Sequence, residues 1–194
     1  CDHARPHRGA HRGGMRDAVT MLEHVGAYAT FPNLGMAVKP HAILELRTGA
    51  GELIWRFDRD GPKPRRALPQ GVAADMIKMM NNVVEAGTAR RARLDGIVAA
   101  GKTGTTNAYR DAWFMGYTGN FVCGVWLGND DYQSTNRMTG GSLPAMTWHS
   151  IRNYAHQGAE LQQLPGVARP AVRQQPGVAQ GTAQPVAPTP PHHR

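Results

Sequence analysis

The sequence predicts an α+β domain, antiparallel sheet strands with flanking helices, set between a basic N-terminal segment and a disordered C-terminal tail. Three observations predict it. Two pairs of β-branched and aromatic runs are each joined by a glycine-containing turn, the pattern of antiparallel hairpins. Three helix-period segments accompany them without a regular strand–helix alternation, so a parallel βαβ sheet is not expected. Composition then changes sharply at both ends. Residues 1–19 are rich in Arg, His and Gly and show no period. Residues 161–194 run into repeated Pro, Gln, Ala and Thr and end His192-His193-Arg194. Such a tail holds too few apolar side chains to offset its ordering entropy and is expected to be disordered. The ordered domain is placed at residues 20–160.

In chain order, Thr20 and Glu23 have the spacing of a capping box, and Leu22, Val25 and Ala29 continue at helical period. That helix should stop before Pro32, with Asn33 and Gly35 as turn residues. Residues 41–47 and 52–57 flank Gly49-Ala50-Gly51 and predict a hairpin. A second helix is expected from Pro69 to Ala86, with Val72, Met76, Met79, Met80 and Val83 as its core stripe and Gly87 as its stop. Residues 112–118 and 121–127, joined by Gly119-Asn120, predict adjacent antiparallel strands. A last helix is expected from Pro144 to His156, with His149 and His156 partly exposed.

Charge and composition exclude several functions. The chain carries 22 Lys and Arg against 14 Asp and Glu, a net +8. The excess is scattered (Arg5 to Arg16, Lys63 to Arg66, Arg90 to Arg93) and no aromatics interleave with it, so solvated basic loops are expected rather than a nucleic-acid partner. No run of eighteen apolar residues predicts a membrane span. Cys1 and Cys123 lack metal-ligand spacing, as do the nine histidines, so neither a metal nor a cofactor is expected. Asp130-Asp131 reads as a solvated turn, and Asp111 as an anchor for the loop before the aromatic strands.

One segment reads two ways. Gly96-Ile-Val-Ala-Ala-Gly101-Lys102-Thr103 fits the phosphate-loop pattern G-x-x-x-x-G-K-[ST]. A phosphate loop needs a buried strand before it and a helix directly after it. Residues 89–95 are too charged for the strand, and residues 104–109 have no amphipathic run. The alternative is that Lys102-Thr103-Gly104-Thr105 is itself a strand. Lys102 and Gly104 then face one side, Thr103 and Thr105 the other. Gly104 permits close approach of a ligand backbone. A cation, hydroxyls and backbone amides at one strand edge suit an extended peptide ending in a carboxylate.

With its neighbours, this segment resembles the third motif region of class A penicillin-binding proteins. Lys102-Thr103-Gly104-Thr105-Thr106 is followed by Asp111-Ala-Trp-Phe-Met-Gly-Tyr117, Val125-Trp-Leu-Gly-Asn-Asp130 and Thr139-Gly-Gly-Ser-Leu-Pro-Ala145. Gly26-Ala-Tyr-Ala-Thr-Phe31, Pro40-His-Ala-Ile43 and Val84-Glu-Ala-Gly87-Thr88 precede it. The ordered series resembles the C-terminal part of a serine transpeptidase domain of the β-lactamase-like fold, over about residues 20–160.

The resemblance implies a peptidoglycan D,D-transpeptidase that cross-links stem peptides through a serine acyl-enzyme, on the periplasmic face of the bacterial inner membrane. It implies stem peptide and β-lactams as partners, with membrane contact made only by N-terminal parts outside this chain. By matching position, Lys102 supplies charge for the substrate carboxylate and supports proton transfer. Thr103, Gly104 and Thr105 shape the carboxylate site, and the backbone N–H of Thr105 is one oxyanion donor. The sequence departs from the family order S-x-x-K, S-x-N, K-T-G. Its serines are Ser134, Ser142 and Ser150, and none is followed three residues later by lysine. Ser134-Thr135-Asn136 fits S-x-N but lies after Lys102 and reads as a turn. The chain alone is therefore expected to be inactive, with apolar surface left open around Trp113, Phe114 and Trp126. A non-catalytic binding or scaffold remnant is the alternative reading, and a phosphate-loop NTPase the third.

Overall fold

In the computed structural model, residues 19–168 are described. The expectations for residues 1–18 and 169–194 lie outside them. In chain order the elements are α1 (Met21–Ala29), β1 (Met36–Ala37), β2 (Glu45–Arg47), β3 (Leu53–Arg56), α2 (Phe57–Asp60), β4 (Arg65–Arg66), α3 (Gln70–Glu85), β5 (Ala100–Thr105), β6 (Asp111–Tyr117), β7 (Val122–Gly128) and α4 (Leu143–Ala155). Short 3-10 turns occur at Arg90–Ala92 and Asn107–Tyr109.

The chain's longest strands form one antiparallel sheet in the order β5-β6-β7. Its register pairs Lys102 with Met115, Gly104 with Trp113, and Trp113 in turn with Trp126. The period-two alternation of β6 sorts its side chains to two faces. Met115 points towards α1, where Val25 closes on the space above Gly124. Phe114 points the other way and meets Trp148 of α4 edge-on, ring centroids 5.3 Å apart. Helices therefore lie on both faces. One core cluster gathers Val84, Leu94, Phe114, Val125 and Trp148. A second gathers Ile77, Met80, Ala100, Tyr117 and Leu164. The α+β class and its flanking helices are as the sequence predicts.

Local sequence explains the element ends. Thr20 caps α1: its hydroxyl accepts the Glu23 amide at 3.3 Å, and the Glu23 carboxylate accepts the Thr20 amide at 2.7 Å. The Thr20 amide, and with it the Thr20 hydroxyl donating at 2.8 Å, hold the Glu23 carboxyl below its ordinary pKa. Pro69 stands at the N-cap of α3. The β2–β3 hairpin turns at Gly51, whose φ of 89° is open to glycine at little cost.

The structure departs from the sequence reading in five places. First, α3 buries Ala73, Ile77, Met80 and Val84, whereas Val72 and Met79 are 49% and 57% exposed. Met80 of the expected stripe is buried and Met76 and Val83 pack against the core; the fully buried row Ala73, Ile77, Met80, Val84 runs i, i+4, i+7, i+11 and lies to one side of the stripe, which leaves its other edge to solvent. Second, His156 is buried, not partly exposed. As C-cap of α4 it is turned inward by two bonds: Nδ1 to the Arg152 carbonyl at 2.8 Å and Nε2 to the Thr118 hydroxyl at 3.0 Å. Third, Phe114 is fully buried, because α4 supplies Trp148 as its cover; Trp113 and Trp126 are half-buried. Fourth, the ordered body continues past residue 160. Leu164 is 1% exposed within the second core cluster, which places residues 161–168 with the domain rather than the tail. Nor are Arg65 and Arg66 simply a solvated turn: they pair with Met36–Ala37, and the Arg66 guanidinium donates to the Leu34 and Leu68 carbonyls.

Candidate functional site

Lys102-Thr103-Gly104-Thr105 lies on β5, a strand, where a phosphate loop would begin a helix. That removes the geometry the NTPase reading requires. β5 is the sheet's edge strand. The Thr106 amide donates to the Asp111 carbonyl at 3.0 Å, which fixes the phase of the ladder. Bonded pairs alternate along antiparallel strands, so Gly104 turns its amide towards β6, and Thr103 and Thr105 turn theirs to the open edge.

The two faces divide as the alternation predicts. On one, Gly104 stands opposite Trp113: a Cβ there would meet the Trp113 Cβ at 3.2 Å. This face opens on a cavity of about 220 Å³ between β5 and α1, lined by Lys102 to Thr106 and by His24, Tyr28, Trp113 and Met115. The His24 ring sits 5.7 Å from Trp113 and 5.3 Å from Tyr28. Burial raises the Tyr28 phenol above its ordinary pKa, keeping it a neutral hydroxyl. On the other face, the Thr103 and Thr88 hydroxyls are 2.9 Å apart. The Thr105 hydroxyl accepts the Gly140 amide at 3.1 Å. That bond uses a lone pair and leaves the Thr105 O–H free to donate to an anion. Lys102 is exposed, and its ammonium donates to the Thr103 carbonyl at 2.9 Å.

Gly140 and Gly141 fit against β5 because Gly104 and Trp113 point away from them. The backbone on that face is bare, and the loop settles onto it. A Cβ on Gly140 would lie 2.1 Å from the Trp113 oxygen and 2.5 Å from the Gly104 oxygen. A Cβ on Gly141 would lie 2.2 Å from the Thr88 oxygen.

Asp111 holds the turn that follows β5. Its carboxylate accepts the Trp126 indole N–H at 3.0 Å and the Thr106 hydroxyl at 3.2 Å, and its own amide donates to that hydroxyl at 2.8 Å. This is the anchoring role expected for it. The turn locks onto the loop after β7: the Thr135 amide donates to the Tyr109 carbonyl at 2.9 Å, and the Arg110 guanidinium sits 4.6 Å from the Tyr132 ring centre. Ser134-Thr135-Asn136 is thus part of this interlock and does not line the cavity. The other two serines are also engaged locally, Ser142 with the Thr139 carbonyl and Ser150 with the Met146 carbonyl. No serine lines the Lys102 cavity. Among the described residues no group of His, Cys, Asp or Glu could hold a metal, and no helix is long and apolar enough to cross a membrane.

His24, Tyr28 and Thr88 entered the site unannounced. Tyr28 and Thr88 stand within segments that carry the family resemblance, but side-chain direction is not legible from such segments. The capping box was the one usable signal for His24: fixing Thr20 as N-cap fixes the helix phase, and with it the face His24 shares with Tyr28.

The site is thus an edge strand carrying a cation, hydroxyls and outward amides, on an antiparallel sheet covered by helices. The penicillin binding protein transpeptidase domain family matches residues 10–144, and this chain belongs to it. The match enters the segment 1–19 that the composition had set apart. Penicillin-binding protein 1A of Aquifex aeolicus is 38% identical over 128 residues, 66% of this chain and 17% of that protein. Penicillin-binding protein 4 of Bacillus subtilis is 32% identical over 144 residues, 74% of this chain and 23% of that protein. The chain thus spans about a fifth of these relatives' length. Among solved structures, the penicillin-binding protein PonA1 of Mycobacterium tuberculosis superposes with a TM-score of 0.67 at 22% identity, covering 87% of this chain and 47% of that one. Its complex with penicillin V gives a TM-score of 0.66 at 25% identity, over 80% of this chain and 44% of that one.

Proposed function

We propose that this chain provides the Lys-Thr-Gly wall of a peptidoglycan D,D-transpeptidase and has no acyl-transfer activity alone. The observation that carries the reading is the edge position of β5. It presents the Lys102 ammonium, the Thr105 hydroxyl and the outward Thr105 amide at one open rim.

The chemistry follows from those groups. A stem peptide ending in D-alanine brings a carboxylate and a scissile carbonyl. The Lys102 ammonium attracts the carboxylate, and the Thr105 O–H donates to it. Thr103, held by Thr88, and Gly104, with no side chain, keep the strand open to an extended peptide. The Thr105 N–H donates to the oxyanion as the carbonyl turns tetrahedral, a contact whose loss costs about 10²–10³ in rate where it has been removed from such holes. The nucleophile is the part not supplied: none of Ser134, Ser142 and Ser150 precedes a lysine by three, and each is placed elsewhere. Complete, the enzyme would work at the periplasmic face of the inner membrane. β-Lactams, which mimic the peptide terminus, would dock on the same rim; the PonA1 structure with penicillin V is a family precedent for such binding. A scaffold role without chemistry is the second reading, favoured by the same absence of a serine at the cavity.

Labelling with a fluorescent penicillin tests the proposal. The 194-residue chain should form no covalent adduct. A stable adduct at one label per chain would refute the assignment of the nucleophile to another segment.

A further inference from the structure

A second concavity, of about 230 Å³, lies at the root of the β2–β3 hairpin. Rings and prolines (Pro40, His41, Trp55, Phe57 and Pro62) make up most of its walls, with Lys39, Ala42 and Ile43 beside them. The His41 and Phe57 rings stack with centroids 3.3 Å apart and 8° between planes. Trp55 meets Phe57 edge-on at 6.2 Å. Ile43 adds apolar surface at 55% exposed. Flat rings and prolines in a shallow groove are the surface that accepts a polyproline II segment, whose ordering cost is already low.

The same chain carries such a segment. Residues 185–191 read Pro-Val-Ala-Pro-Thr-Pro-Pro, with prolines at 185, 188 and 191. The polyproline II helix repeats every three residues, so a proline spacing of three is the one that would put these side chains in a single row in that conformation. Neither the Lys102 rim nor the core uses either feature.

We propose that residues 185–191 dock within their own chain in the groove formed by Pro40, Trp55 and Phe57. The tether permits it. The last described turn packs Gly166 against Ala74 near the start of α3. From residue 168 to residue 185 is about 17 residues, which at ~3.1 Å each reach about 50 Å. A domain of about 150 residues is about 40 Å across. Covalent linkage over this length holds the segment at an effective concentration in the millimolar range, so a weak ring-to-proline contact suffices to fill the groove.

Photo-crosslinking in the full 194-residue chain tests this. With p-benzoylphenylalanine replacing Val186, illumination should link the tail to peptides spanning residues 40–62. A mixture of ¹⁴N- and ¹⁵N-labelled chains should give links within one isotope only. In the combined Pro185→Ala, Pro188→Ala and Pro191→Ala variant the link should be lost, with the melting temperature unchanged. Links elsewhere on the surface, links between isotopically different chains, persistence in the triple variant, or no link at all would each overturn the proposal.

Discussion

Replacing Gly140 by alanine probes the contact that seats the 139–142 loop on β5. The new methyl group would meet only backbone: the Trp113 oxygen at 2.1 Å, the Gly104 oxygen at 2.5 Å and the Gly104 nitrogen at 2.8 Å. Backbone in a paired strand cannot swing aside as a side-chain tip can, so the loop must lift. Overpacking of this kind costs about 1–3 kcal/mol. Lifting also breaks the Gly140 bond to the Thr105 hydroxyl, worth about 0.5–1.5 kcal/mol. Together these give about 1.5–4.5 kcal/mol, which in a domain of this size lowers Tm by roughly 3–18 °C. Gly49→Ala is the control: nothing lies within 4 Å of its added Cβ, and its effect should stay within about 0.5 kcal/mol. Calorimetry on the two variants reads the difference. Equal melting temperatures would refute the close seating of this loop on the strand.

Two further outcomes follow from buried groups. Asp111→Ala removes the carboxylate that accepts from the Trp126 indole and the Thr106 hydroxyl and should cost about 1–3 kcal/mol by urea denaturation; an unchanged midpoint would remove its anchoring role. Tyr117 is fully buried, and burial is the main cause that raises its phenol above the ordinary value, with the neighbouring Tyr28 a smaller one. The folded state thus favours the neutral phenol, and that stability is whole below pH about 10 and lost as pH climbs from there towards the higher folded pKa. Tyr117→Phe should therefore flatten the alkaline fall in stability; an identical fall in both proteins would contradict the burial argument.

Much of this molecule is written in short-range pattern. The Thr20 and Glu23 capping pair, the paired runs around Gly119-Asn120 and the glycine turn before Glu52 each specify local geometry with the residues that make it. The choice between strand and phosphate loop at Lys102 was legible because the alternatives demand different neighbours. What escaped depends on distant partners. The phase of α3 is set by Tyr117 and Ala100, which receive Met80 and Ile77 and leave Met79 to solvent. His156 is turned inward by Thr118, 38 residues away in sequence. β1 and β4 have two residues each and pair across a long excursion, too short for any periodicity to register. At the site, Lys102, Thr103, Gly104 and Thr105 were found as a strand, but the α1 wall and the Gly140 seat come from long-range packing. Residues 161–164 look like the beginning of a tail until Leu164 finds its place against Ile77 and Tyr117.

Amide NMR of the ¹⁵N-labelled chain reads whether the β5 edge binds a peptide carboxylate without performing the chemistry. An acyl-D-alanyl-D-alanine peptide, added at millimolar concentration, should shift the amide signals of Thr103 and Thr105 in a saturable way, with Lys102→Ala weakening the response and no covalent mass added. Shifts centred elsewhere on the domain, or a response indifferent to Lys102→Ala, would contradict the account.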